Sequence, residues 1–205
     1  MNSKEETCII PGGKYKTSVV WESIRPKLRK VEWHRLLWGS FTVPKFACIA
    51  WMAILNKLPT MDRLQAWGME VAGTCVLCKQ DMENRNHLFF GCSFSRNVWK
   101  GVLELCGLRR EVWDWEEELK WAYQKLKGAS LLSIILRSAW SACVYFVWKE
   151  RNCRLYMFRE ETNLQVLERI KQKIRLRLAG LKNVKVDQVN NSLYRAWDLS
   201  QAIFA

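Results

Sequence analysis

Four residues in the middle of the chain have the types and spacing of metal ligands: Cys75, Cys78, His87 and Cys92, arranged as C-x2-C-x8-H-x4-C. Two thiolates on a knuckle, then an imidazole and a third thiolate, make a closed set suited to tetrahedral structural zinc. The interval between Cys78 and His87 is shorter than in a C2H2 finger. The pattern therefore predicts a small Cys3His ribbon or knuckle, from about Gly73 to Cys92, with Zn2+ as its cofactor. The competing reading is a set of buried cysteines that never meet.

Other chemistry is missing from the sequence. Two-metal phosphoryl-transfer chemistry needs paired carboxylates that hold two divalent ions, usually from adjacent aspartates. The five aspartates here, Asp62, Asp81, Asp114, Asp187 and Asp198, are scattered. A ribonuclease H centre also needs several converging acids, whereas Glu116, Glu117 and Glu118 form a run on a helical segment and read as a solvated face. There is no Gly-rich phosphate loop, no Gly-x-Ser-x-Gly elbow and no Cys/His nucleophile pair outside the metal motif. The second histidine, His34, lies between Trp33 and Arg35 with no further Cys or His beside it, and reads as packed or surface histidine. The sequence predicts a non-enzyme without a small-molecule substrate.

The elements that must position the motif read as helices. The chain has 205 residues, 49% of them hydrophobic, with twelve tryptophans, which is too apolar for disorder and enough for one ordinary domain or two small ones. A Pro11-Gly12-Gly13 turn precedes a short amphipathic segment, Ser18 to Ile24, closed by Pro26. Pro44 opens a helix to about Asn56 that is apolar on nearly every side and so is expected to be central. Thr60 is placed to cap a short helix ending at Gly68. Beyond the metal motif, helices are expected from Ser93 or Ser95 to Cys106, Trp113 to Lys127, Ser130 to Phe158 and Thr162 to Leu181, with Gly107 and Gly128 as breaks. The fold class is mainly α, with β structure confined to the ribbon and the N-terminal turn. The corresponding domain reading is an N-terminal extension (1–17), a zinc-binding domain (18–107), a C-terminal helical region with a basic last helix (108–182) and a tail (183–205).

Cysteine usage and hydropathy bear on the compartment. Cys8, Cys48, Cys106, Cys143 and Cys153 stand alone, several in apolar runs, which favours a reduced intracellular protein, nuclear or cytoplasmic, over a disulfide framework. The polar N-terminus does not read as a signal peptide. Leu131 to Trp148 comes closest to a membrane span. Arg137 lies inside it, serines interrupt it and Lys149, Glu150 and Arg151 follow, so it reads as a buried core helix.

Several separate words carry a family resemblance: IRPKLRKVEWHRLLW, VPKFACIAWMAILNKLPTMDRLQAWG, CVLC at Cys75, HLFFGCSFSRNVW from His87 and, further on, VWKERNCRLY at Val147 to Tyr156. Together they resemble the zinc-binding domain at the C-terminal end of plant non-LTR retrotransposon reverse transcriptases. That resemblance places the family's metal ligands on Cys75, Cys78, His87 and Cys92. It implies an accessory module separated from its polymerase, which in the intact polyprotein would help position template or target. A reverse transcriptase polypeptide is accordingly one candidate partner.

The excess of 33 Lys plus Arg over 20 Asp plus Glu gives a formal net charge of +13. Such a charge favours polyanions, nucleic acid first and an anionic membrane surface second. Two basic stretches stand out. Lys14 to Arg35 interleaves Lys27, Arg29, Lys30 and other cations with Trp21 and Trp33, a composition that can grip single strands. Arg169 to Lys185 has no acid and carries Arg169, Lys173, Arg175 and Arg177, while Leu164, Leu167, Ile170, Ile174, Leu178 and Leu181 supply an apolar stripe. The expected function is nucleic-acid binding, to RNA or target DNA. The alternative is a protein-interaction scaffold whose basic charge is incidental.

Overall fold

The computed structural model describes residues 17–26, 31–39 and 41–205. The chain divides into two units, Met1–Val31 and Glu32–Ala205. Within the first, helix α1 (Thr17–Ile24) leaves Trp21 and Ile24 exposed, and Arg25 pairs with Glu22 one turn back. The Pro11-Gly12-Gly13 turn, Cys8, Lys14, Lys16, Lys27, Arg29 and Lys30 lie outside the described residues.

The second unit is helical. In chain order it contains α2 (His34–Leu37), α3 (Pro44–Ile54), α4 (Met61–Ala66), a π-helical turn (His87–Gly91), α5 (Ser93–Leu105), α6 (Trp115–Lys125), α7 (Leu131–Tyr156), α8 (Asn163–Leu178), α9 (Gln188–Ala196) and a final 3-10 turn (Gln201–Phe204). Among the described residues, β structure is reduced to one antiparallel bridge, Thr74 to Met82, inside the metal motif.

Local chemistry explains most of the boundaries. Pro44 occupies the first turn of α3, where its missing N–H costs nothing. The side chains of Asp114, Ser130 and Asp187 accept backbone N–H bonds at the starts of α6, α7 and α9. Thr162 and Gln165 form a reciprocal capping box at the start of α8. Gly107, at φ +70, ends α5 in the left-handed conformation that glycine adopts without a Cβ penalty. Thr60 holds the N-cap position of α4, but its hydroxyl donates to the Asp62 carboxylate; the free N–H of Met61 is taken instead by Glu83 Oε1 at 3.0 Å.

Helix α7, rather than α3, is the central element. It packs against α2, α3, α5, α6, α8 and α9, and seventeen of its residues are buried. Helix α3 lies against it by Phe46, Ala47, Ala50 and Ala53, while Cys48, Trp51 and Leu55 face outward. An all-round apolar composition thus did not make α3 central, because it packs mainly on α7, with α2 as a smaller neighbour, and its opposite face is left outward. By length and hydropathy α7 could cross a membrane, yet 72% of its most apolar window is buried inside the protein. Its apolar surface is taken up by the other helices. Phe89, Phe90, Trp99, Trp115 and Trp140 form one aromatic cluster beside it, with ring centroids 5.3 to 6.2 Å apart.

The last residues join this core. The sequence reading assigned no element to residues 183–205, yet Leu193, Trp197, Leu199 and Ile203 are buried there. On α8 the buried stripe is Val166, Ile170, Ile174 and Leu178, with Leu167 and Leu181 at its edge. Leu164 is exposed instead of belonging to that stripe, because it lies in the first turn on the far side from Val166 and Ile170.

Candidate metal centre

The knuckle forms where the Thr74–Met82 bridge closes a short loop. Cys75 N–H donates to Asp81 O, and Lys79 N–H donates back to Cys75 O, both at 2.8 Å, with Lys79 at a left-handed φ of +58. That reversal turns the Cys75 and Cys78 side chains toward one point. The other two ligands come from the following turn. Asn84 Oδ1 accepts the His87 N–H at 2.9 Å and starts it, and the Cys92 N–H reaches back to His87 O.

This i to i+5 closure defines a π turn, and it accounts for the four-residue gap between His87 and Cys92. An α turn would rotate residue i+5 well away from residue i, whereas the wider turn returns it to the same side. Gly91 completes the loop at close quarters: a Cβ there would meet the Asn86 carbonyl oxygen at 3.2 Å. Leu88, Phe89 and Phe90 use the same turn to enter the core.

The Sγ atoms of Cys75, Cys78 and Cys92 and a ring nitrogen of His87 lie within 4.8 Å of one another. Cys75 Sγ is 3.9 Å from Cys92 Sγ, and Cys78 Sγ is 3.3 Å from His87 Nε2. A tetrahedral zinc with ordinary bond lengths requires S···S edges of about 3.8 Å and S···N edges of about 3.6 Å. The donor set fits that ion in chemistry and in size. Nε2 faces the thiolates, while Nδ1 is turned toward the exposed carboxylate of Asp81, 3.8 Å away.

Burial holds the His87 imidazole below its ordinary pKa against the opposing pull of Asp81 and Glu83, which favours the neutral ring that a metal needs. The hydrogen bond between Cys75 and Cys92, and then burial, push the Cys75 thiol up; the same bond holds Cys92 down. A divalent cation at this point would be ligated by both sulfurs as thiolates. Cys106, by contrast, is raised to about 12 by burial and lies away from the cluster, as do buried Cys143, exposed Cys48 and half-buried Cys153.

Residues 15–99 match the family described as zinc-binding in reverse transcriptase. The matched segment contains all four candidate ligands. No curated protein and no solved structure matches the chain.

The zinc-binding segment is held from outside its own boundaries. Glu83, one residue past the bridge, is buried against Arg151 of α7, whose Nε and Nη2 donate to its carboxylate at 2.7 to 3.2 Å. Arg151 also stacks 4.9 Å over Trp148. One helical turn on, Arg154 donates to the knuckle carbonyls of Val76 and Leu77 and to Glu161 O, and is itself braced by buried Glu150. Lys79 pairs with Glu160 in the loop between α7 and α8. The sequence reading took Glu150 and Arg151 only as charges that follow the apolar run and missed what they hold, although a signal was present: charges on an apolar helix that is buried must be paired, and Glu150, Arg151 and Arg154 are such charges. They belong to the VWKERNCRLY word, past the end of the matched segment.

The acidic run at the start of α6 is not a solvated face throughout. Glu118 is fully buried and accepts from Arg110, from Trp99 Nε1 and from the Trp113 N–H. The Arg110 guanidinium lies between the rings of Trp113 and Trp121, at 4.4 and 4.1 Å. Glu116 pairs with Arg85, and Glu117 stays exposed beside Lys120. His34 is exposed.

The structure separates the α8 cations. Arg169, Lys173 and Arg177 follow one another at four-residue steps along one edge of the buried stripe, whereas Arg175 projects from the other edge. Arg169 pairs with Glu161, Arg175 with Asp198, and Arg177 donates to Thr42 O. Lys173 is exposed. Among the described residues, the one group of three or more His, Cys, Asp or Glu side chains able to hold a metal is the Cys3His set.

Proposed function

We propose that this protein is a non-catalytic, zinc-stabilised module derived from the reverse transcriptase of a plant non-LTR retrotransposon, and that it binds nucleic acid, RNA or target DNA. The observation that carries the reading is the tetrahedral Cys3His set inside a segment matching a zinc-binding reverse-transcriptase family. Zinc supplies folding energy in a closed site of this kind and takes no part in a reaction. Cys75, Cys78, His87 and Cys92 would hold it. The match covers the zinc-binding region, and the five aspartates of the chain are scattered along it with no two adjacent. Purified protein supplied with Mg2+ or Mn2+ on a primed RNA template is expected to extend the primer no further than a mock purification does.

Nucleic-acid binding draws its support from the +13 charge and from cations that stand on the surface. The pairs Arg169–Glu161 and Arg175–Asp198 are half exposed, so exchanging a carboxylate for a phosphate there costs little. A binding titration at several salt concentrations tests the reading. Affinity for single-stranded RNA or DNA is expected to fall log-linearly with salt, with a slope of about 0.7 for each phosphate contacted. Affinity that stays flat with salt would remove it.

The scaffold reading has its own observation, the outward face of α3 with Cys48, Trp51 and Leu55, near one end of the helix that carries the core contact. Apolar docking of a protein partner there would be nearly insensitive to salt, so the same titration separates the two readings.

A further inference from the structure

One depression in the second unit is lined by cations without any carboxylate. Its walls are Arg35 and Trp38 of the α2 region, Phe41 and Thr42 before α3, Lys127 and Gly128 after α6, and Arg137 on α7. Arg35, at the end of the first basic stretch, is brought together with Lys127 and Arg137 from about a hundred residues further on, which lie in neither basic stretch. None of the three forms an ion pair among the described residues.

Arg137 is the informative member. Its Nη1 donates to Leu126 O and Gly128 O, both at 2.7 Å, which fixes the guanidinium plane against the C-terminal end of α6. Nε and Nη2 have no partner among the described residues. Desolvation lowers the Arg137 pKa, with no counter-charge acting the other way. A partly buried guanidinium normally has a carboxylate to offset its lost hydration, and here the depression it lines holds two further cations and no carboxylate. Such a site lacks an anion.

The aromatic component distinguishes among anions. Trp38 borders the depression with 42% of its surface exposed, although it is one of the largest apolar side chains in the protein. An indole beside a cationic depression suits a ligand that carries a flat π-face next to its phosphate. A duplex keeps its bases stacked inside; a single strand can offer one.

Resting on the nucleic-acid reading above, we propose that Arg35, Lys127 and Arg137 bind a backbone phosphate of single-stranded nucleic acid and that Trp38 stacks the adjoining base. Arg137 supplies the fixed fork. Arg35 and Lys127, both exposed, close on the phosphate as longer, mobile charges.

The test uses the full zinc-loaded chain and a fluorescein-labelled single strand of about twelve nucleotides, followed by anisotropy over a salt series. Arg35→Gln/Lys127→Gln is the main variant, since both side chains are exposed and neither supports the core. Wild-type zinc content and thermal midpoint serve as its fold control. Loss of two of the three cations on that phosphate is expected to weaken binding roughly ten-fold at moderate salt and to flatten the log–log slope by up to about 0.7, the share of one phosphate. Trp38→Ala is expected to weaken binding by about five- to a hundred-fold while leaving the slope unchanged, because stacking releases no counterions. A wild-type chain that binds the strand, together with a double variant of equal affinity and slope, would overturn this site and leave the nucleic-acid reading standing. A wild-type chain that does not bind at low salt overturns that reading and the site with it. Binding to phosphatidylserine vesicles that depends on Arg35 and Lys127, while strand binding does not, would assign the depression to a membrane surface and also overturn the proposal.

Discussion

Cys78→Ser is expected to leave the purified protein without zinc, while the wild type carries one ion per chain. The four donors approach one another as a tetrahedron requires, and Cys78 contributes one edge of it, facing His87. A closed site has no spare ligand. In zinc-finger peptides the metal contributes about 10–16 kcal/mol of folding free energy, so losing one thiolate removes a large part of what orders the knuckle. Elemental analysis of both proteins decides the matter. Amide exchange should also accelerate across residues 73–92, where a single bridge and a few loop hydrogen bonds are otherwise the local support. Equal zinc content in the two proteins would end the assignment.

The second large effect is expected far from the ligands in sequence. Arg151→Met should destabilise the protein by about 3–5 kcal/mol, because it strands the Glu83 carboxylate in a site with no water and no counter-charge. Glu83 also receives the first N–H of α4 and follows the bridge that shapes the knuckle. Zinc retention against a chelator should therefore fall together with the urea midpoint. Removing the charge as well, in Glu83→Gln/Arg151→Met, should restore part of the loss, since glutamine can still accept the Met61 N–H. A single variant with the wild-type midpoint would show that α7 does not hold the zinc-binding segment. By the same reasoning, a fragment cut at residue 99 would lack the bracket that the rest of the chain provides.

How much of this was legible in the chain depends on the range of the interactions. The four ligands could be read because metal chemistry restricts both residue type and spacing within eighteen residues. Helix ends could be read to within a few residues from Pro44, Ser130, Thr162 and Gly107, since caps and turns are satisfied by neighbours in sequence. Even so, Thr60 shows the limit of that reasoning. It stands at the right position, but its hydroxyl turns to the Asp62 carboxylate, and the first two N–H groups of α4 go to the Glu83 carboxylate and carbonyl more than twenty residues away.

Tertiary structure decided what depends on partners distant in sequence. Glu116, Glu117 and Glu118 are chemically alike and adjacent, and only packing determines that Glu118 is buried between Arg110 and Trp99 while Glu117 meets water. Arg137, Glu150 and Arg151 interrupt an apolar run in the sequence. In the fold they become an unpaired cation in a basic depression, a brace for Arg154 and the partner of Glu83. The sequence by itself determined the metal chemistry, the helical class and the positive charge, because these follow from residue type, period and spacing. Which helix would be central, which charges would be buried and which cations would share a surface required the long-range contacts. A charged side chain is stabilised by whatever lies within a few ångströms, and the chain brings those groups together from anywhere along its length.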